Sequence, residues 1–460
     1  MRRNQQPAGR RLASIAAGVI AAAVAFGVAG PASAETITVA IGAEPPTFVP
    51  RDACRYETNF VTDNIYERLT RRDADGKVVG WLAESYEQVD DLTWRFKLRP
   101  GIAFSNGEPL NADAVVETIG YYFNPDKASR CRGDYATIAS ATKVDDMTVD
   151  IKTATVDPTI PSRLLKLYII APKWLAATPD EEAAVTAVGT GPYTLAEFVK
   201  GDHITLKANP AYWGEPKPAI DEVRIVVRGE AAVRASMVAA GEADIAVNIS
   251  REQAAPLPAS VTEHTTESVF MRLNTQNPVL SDIKVREAIA DSIDTGAIME
   301  ARYPGVSSSL QGQIVRPTAL GQNPDLQPYA YDPAKAKALV DGAGAAGKEL
   351  KLIVRTDLIP NVMELAEAIQ GMIQETGLRI ALVPMEAAPW RALLFANKEG
   401  QERTDLIIIS ASNIQFDSSR VMNFYLGTGQ FSHADSKDFQ AKMEAAAVLS
   451  GDARVAAYRA

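Results

Sequence analysis

An α/β chain arranged as two lobes is the fold class this sequence predicts, on three observations. At 460 residues and roughly 150 per domain, the length suggests about three domains. The stretch from Leu352 to Val383 reads strand, helix, strand, the order of a parallel βαβ unit. Near residue 270 the pattern changes from strand-rich segments to alternating helices and strands, which separates two halves.

The elements follow in order. Arg2, Arg3, Arg10 and Arg11 precede a mostly apolar run from Leu12 to Ala29, then Pro31-Ala32-Ser33-Ala34. A basic start, an apolar middle and a small-x-small site make a secretory signal peptide over 1–34, cleaved after Ala34. An uncleaved anchor is the alternative, since about 18 apolar residues just span a bilayer. The run is rich in Ala and Gly rather than Leu, and no cysteine follows the cleavage site to carry a lipid. An exported, periplasmic chain beginning at Glu35 is the expectation. In that oxidising compartment the two cysteines, Cys54 and Cys131, are expected to pair, with two separate buried thiols as the alternative.

Thr36 to Ile41 reads as a β-branched strand ended by Glu44-Pro45-Pro46. From Asp91 to Arg99, Leu92, Trp94, Phe96 and Leu98 alternate with polar residues, a half-buried strand. Asn111 is placed to cap a helix carrying Val115, Val116 and Ile119. Strands follow at Ile204 to Lys207 and Val223 to Val227, then a helix from Ala231 to Ala240 that Gly241 ends. Further on, Val285, Ile289 and Ile293 share a helix face, and Asp332-Pro333 opens another helix. The βαβ unit comprises Leu352 to Arg355, Val362 to Glu375 and Leu378 to Val383. Leu406 to Ile409 is a run of four aliphatics, as in a strand covered on both faces.

Composition excludes more than it selects. Hydrophobic residues at 47% and charged residues at 23% are globular usage, not disorder. The net charge is −10, and the chain beyond the basic leader is more acidic still, so nucleic acid is excluded as a partner. Three scattered histidines and two cysteines are too few for a zinc site, and no metal or cofactor is expected. Ser432-His433 with Asp435 lacks a nucleophile elbow and reads as a polar loop. Gly189-Thr190-Gly191-Pro192 lacks both dinucleotide and P-loop spacing and reads as a turn into the strand at Tyr193.

Several motifs nevertheless stand in one register: Tyr66-Glu67-Arg68-Leu69, Gly80-Trp81-Leu82-Ala83-Glu84-Ser85-Tyr86, Asp91 through Ile102, and Phe104-Ser105-Asn106-Gly107-Glu108 through Asp113. Gly189 to Tyr193, Asn209-Pro210-Ala211-Tyr212-Trp213-Gly214, Gly241 to Ile245, Val285 to Ala290 and Tyr331 to Ala336 continue the series. Together they closely resemble the family 5 extracytoplasmic solute-binding proteins, the dipeptide, oligopeptide and nickel-type receptors of ABC importers. The resemblance implies a bilobal, periplasmic-binding-protein-like fold with an extra subdomain in lobe I. Lobe I would comprise 35–80 and 188–267, the subdomain 81–187, and lobe II 268–460. It also implies a monomeric receptor, not an enzyme, that captures a peptide-like or other polar small molecule in an interlobe cleft. Its partners would be that ligand and the permease subunits of the importer. A secreted hydrolase and a ligand-presenting sensor for a chemoreceptor are the competing readings.

Ligands of open α/β sheets sit beyond the carboxyl ends of strands. That rule nominates Phe48, Arg51 and Tyr56 after the first strand, Arg355 and Asp357 after the strand at 352, with a local ion pair or capping role as their alternative, and Ser412, Asn413, Gln415 and Asp417 after the strand at 406. Trp390 resembles family aromatics that line the cleft, with a packed core indole as the alternative. Peptide-binding members place an aspartate in the loop after residue 409 to meet the peptide's ammonium. Here Ser412 takes that register, so an amino-terminal ammonium is expected only if Asp417 takes the role. The final residues, Arg454 to Ala460, resemble a helical region that other members continue, and a truncated or short form is expected.

Overall fold

The computed structural model describes residues 35–52, 56–124, 132–262, 267–394, 404–413, 416–426 and 436–460. The leader over 1–34, Cys54, Cys131, Gln415 and the Ser432-His433 pair lie outside the described residues, as do the side chains of 56–58.

Three larger sheets and one two-stranded hairpin organise the described residues. The first joins β1 (Thr36–Ile41) in parallel to β10 (Glu222–Val227) and β11 (Ile245–Ala246), and β10 continues antiparallel through β9 (His203–Ala208) to β8 (Tyr193–Val199). The small hairpin β2 (Thr70–Arg72) and β3 (Val78–Gly80) leads to the second sheet. That sheet is antiparallel, in the order β4 (Ala83–Asp90), β5 (Thr93–Leu98), β7 (Thr148–Thr153), β6 (Ile138–Asp145). The third runs β12 (Glu267–Leu273), β15 (Leu406–Ser412), β13 (Glu349–Arg355), β14 (Arg379–Met385), with only β12 antiparallel. Each sheet carries its own apolar core; the first sheet is called lobe I below, the second its subdomain and the third lobe II.

Local chemistry explains most element boundaries. Asn111 Oδ1 accepts from Ala114 N over 3.0 Å and starts the helix Ala112–Phe123. Asp332 does the same for Pro333–Gly342, accepting from Lys335 N over 2.8 Å. Gly241, at φ 73°, ends the helix Ala231–Ala240 in the left-handed conformation that glycine adopts without penalty. In lobe II the βαβ unit is present, with β13 and β14 parallel and the helix Val362–Gln374 burying Leu365, Ala366, Ile369 and Ile373. Leu406, Ile407, Ile408 and Ile409 are all buried, the two faces of β15 meeting different apolar clusters.

The glycines of Gly189-Thr190-Gly191 serve close approach rather than a turn alone. A Cβ on either would collide with the carbonyl oxygen of Ile65, and Gly191 N donates to that oxygen over 2.9 Å. The approach delivers Thr190 to Glu67. That buried carboxylate accepts from Trp81 Nε1 and Thr190 Oγ1, each at 2.8 Å, from Tyr212 OH at 3.1 Å and from Trp213 Nε1 at 2.7 Å. Four of the sequence motifs therefore converge on one group, which fastens Trp81, just ahead of the subdomain's first strand, to lobe I.

Candidate functional site

In lobe II, β13 and β15 are parallel neighbours and end on the same edge, the place at which ligands of open α/β sheets sit. Arg355 closes β13. Its Nε lies 2.9 Å from Asp357 Oδ1, and its guanidinium sits 5.2 Å from the centre of the Trp390 ring. Trp390, on the helix Ala387–Leu394, is 4% exposed and packs on Ile353, Ile407 and Ile409. Its indole Nε1 is buried and has no hydrogen-bond partner among the described residues.

At the end of β15, Ser412 stands opposite Glu267. Asn413 is buried: its Nδ2 donates to the main-chain oxygen of Asp417 over 3.1 Å, and its Oδ1 has no partner among the described residues. Asp417 is heavily engaged. It accepts from Arg454 Nε (2.8 Å) and Nη2 (3.1 Å), Tyr458 OH (2.9 Å), and Ser419 N (2.9 Å) and Oγ (2.6 Å). Burial pushes this carboxyl up, and Arg454 with Ser419 more than offsets that, leaving it below its ordinary value. Arg454 also donates to the carbonyls of Ala446 and Ala447, capping the helix Lys437–Ala447.

In lobe I, Phe48 is fully buried and meets Phe198 edge-on at 5.2 Å. Arg51, 7% exposed, pairs with Asp180 over 2.8 Å, donates to Tyr121 OH and stacks 4.7 Å from that ring, so it ties the loop after β1 to the subdomain. Tyr56 opens the helix Tyr56–Thr62.

Contacts cross from one lobe to the other. Arg72 of β2 places its guanidinium 4.0 Å from the centre of the Phe416 ring, in the loop after β15. Desolvation lowers Arg72 to about 10. Arg420, just beyond that loop, brings Nη2 to 3.8 Å from Asp134 Oδ1 in the subdomain, while Lys166 Nζ holds Oδ2 of the same carboxylate at 3.1 Å. Lys166 is pushed down by burial first, supported by Asp134 and repelled by Arg420. None of Arg72, Asp134, Lys166, Phe416 or Arg420 stands out in the sequence, because the pairing depends on how the lobes face each other.

The structure thus gathers Arg355, Asp357 and Trp390 into one group and Ser412, Asn413 and Asp417 into another, with Phe48 and Arg51 set apart in lobe I. A cavity of about 460 Å³ adjoins the Asp417 group, between the 312–326 segment and the C-terminal helices, lined by Val315, Leu326, Met422, Phe439 and Tyr458 among others. Among the described residues no cluster of His, Cys, Asp and Glu is arranged to hold a metal, and no helix is long and apolar enough to cross a membrane. The two lobe II groups comprise a cation near an aromatic ring, amide and hydroxyl groups, and two buried polar atoms, Trp390 Nε1 and Asn413 Oδ1, without a partner among the described residues.

Comparison with known proteins agrees with this picture. The glutathione-binding protein GsiB of Pectobacterium atrosepticum is 27% identical over 383 residues, covering 81% of this chain and 73% of the relative. The dipeptide-binding protein of Escherichia coli K12 is 28% identical over 418 residues, covering 83% and 77%. Among solved structures, the ABC transporter substrate-binding protein CtaP of Listeria monocytogenes superposes with a TM-score of 0.82 at 20% identity, covering 92% of this chain and 89% of that one. The profile of the bacterial extracellular solute-binding proteins, family 5 (middle region), matches residues 77–433. The chain belongs to that family, the family 5 extracellular solute-binding proteins.

Proposed function

We propose that this chain is the substrate-binding receptor of an ABC importer, and that it carries a peptide-like or other polar small molecule between its lobes. The observation that carries the reading is the family match over 77–433 on a two-lobed α/β fold. The names of the relatives, glutathione-binding and dipeptide-binding, support a ligand of that class. A ligand that touches both lobes favours the closed arrangement by its differential affinity, and no bond need be made or broken. Export to the periplasm with cleavage after Ala34, and lobe limits at 35–80 with 188–267, 81–187 and 268–460, complete the proposal.

Direct contact is assigned to Arg355, Trp390, Ser412 and Asn413, with Asp357 orienting Arg355. Asp417, Arg51 and Phe48 are assigned to holding the walls, since their groups are already engaged within the protein. Gln415 and Tyr56 complete the two walls in sequence. Titration calorimetry of the exported chain with dipeptides, free and N-acetylated, tests this. Because Arg454 already neutralises Asp417, the acetylated form, which has no ammonium, is expected to bind one-to-one and more tightly than the free dipeptide, to be recovered unaltered, and to lose about 10-fold or more in affinity in Trp390→Ala, about 1.4 kcal/mol. Ligand recovered as hydrolysed fragments would make the chain an enzyme instead.

A further inference from the structure

We propose that residues 416–420 form the lobe II half of a clasp that holds the two lobes together, with Arg72 and Asp134 as the other half. The inference rests on the receptor reading only in that the lobes open and close. Phe416 and Arg420 point outward from one short stretch, toward two different parts of the facing lobe: the β2–β3 hairpin and the subdomain. The residues between them point inward. Asp417 is fixed by Arg454 and Tyr458, and Ser418 Oγ donates to the Leu320 carbonyl over 2.6 Å.

The loop is held in shape before it meets lobe I. Phe416 N donates to Asn413 O, Leu320 N to Phe416 O and Ser418 N to Leu320 O, at 3.1, 2.7 and 3.0 Å. Phe416 itself sits at φ 52°, a conformation bulky residues rarely adopt and one that persists only where its surroundings impose it. Its ring is therefore presented at fixed cost within lobe II, and Arg72 meets a preformed surface. On the other side, strand alternation separates two neighbouring arginines: Arg71 stacks on Trp81 at 3.5 Å, which leaves Arg72 facing lobe II. Asp134 is anchored within the subdomain by Lys166, so Arg420 joins a carboxylate whose position is already set.

Such contacts favour the closed arrangement before any ligand enters. The fraction of closed molecules then sets the apparent affinity for whatever ligand the cleft takes. Asp417 acts here as a positioning residue, through Phe416 and Arg420 rather than by touching solute.

Small-angle X-ray scattering of the ligand-free, full-length exported chain tests the clasp without knowledge of the ligand. Phe416→Ala is expected to enlarge the radius of gyration, through about a 5-fold fall in the closed-to-open ratio, the scale of one cation–π contact. Phe416→Tyr, which keeps the ring, should scatter like the parent chain. Arg420→Glu, which sets two carboxylates facing, should open the molecule further than Arg420→Ala. Salt at about 1 M, where the screening length is about 3 Å, should open the parent chain more than it opens Arg420→Ala. Should Phe416→Ala fail to fold, Arg420→Glu and the salt series decide alone. Identical scattering from the parent chain, Phe416→Ala and Arg420→Glu would overturn the clasp and leave the receptor reading intact.

Discussion

Trp213 Nε1 donates to Glu67 Oε2 over 2.7 Å, joining two motifs that lie 146 residues apart in the chain. Trp81, Thr190 and Tyr212 direct their own donors at the same carboxylate. The motifs that identify the family are thus, in good part, the parts of one buried hydrogen-bonding centre. Arg71, on the hairpin that carries Arg72, stacks on one of that centre's donors, Trp81, at 3.5 Å.

Glu67 should make the fold sensitive to pH. Burial, the largest influence, pushes its carboxyl up, and the four donors pull it down without restoring the ordinary value. The folded state therefore holds the proton more tightly than the unfolded chain. Stability should fall as pH rises from the ordinary glutamate value, about 4.3, through the raised one, and be level above it. Glu67→Gln should abolish that slope in urea melts. The same substitution turns an amide N–H₂ toward an indole N–H, so a loss of about 1–3 kcal/mol is expected at neutral pH.

His203 should act in the same sense at higher pH. Its Nδ1 lies 2.9 Å from Asp202 and its Nε2 3.1 Å from Glu197. Those two carboxylates, Asp202 first, raise the imidazole above its ordinary value. Its contribution is complete below the unfolded value, about 6.5, and is lost as pH rises through the raised folded value. Melting temperatures of His203→Gln and the parent chain should converge above that range and differ below it. Equal separation at every pH would assign the ring a packing role alone.

The Asp417 and Arg454 pair should be costly to break from one side. Arg454→Met leaves a buried carboxylate without its counter-charge and should destabilise by about 3–5 kcal/mol in denaturant melts. Asp417→Leu combined with Arg454→Met should recover much of that loss, since no lone charge remains buried. Because the Asp417 carboxyl is held below its ordinary value, the parent chain should lose this contribution as pH falls through that lowered value. The double variant should show no such acid loss.

Much of the fold was legible because it rests on local patterns. The βαβ unit of lobe II, the caps at Asn111 and Asp332 and the stop at Gly241 each depend on a few consecutive residues. The antiparallel seat of β12 beside β15 was not, since 139 residues separate Phe270 from Ile409 and nothing local records their pairing. The site was legible only as strand ends. Sequence position places Arg51 and Asp417 after strands, yet their partners Asp180, Arg454 and Tyr458 come from distant segments and decide what those charges do. Asp417 illustrates the point: a carboxylate free to meet a ligand's ammonium and one neutralised by Arg454 look the same in the sequence.

The most direct test of the receptor reading is native mass spectrometry of the chain recovered from the exported fraction, with no ligand added. A receptor should carry one non-covalent peptide-like or polar small molecule per chain, released unaltered on denaturation and missing from Trp390→Ala. A bare chain that also binds neither glutathione nor dipeptides on their addition would contradict it.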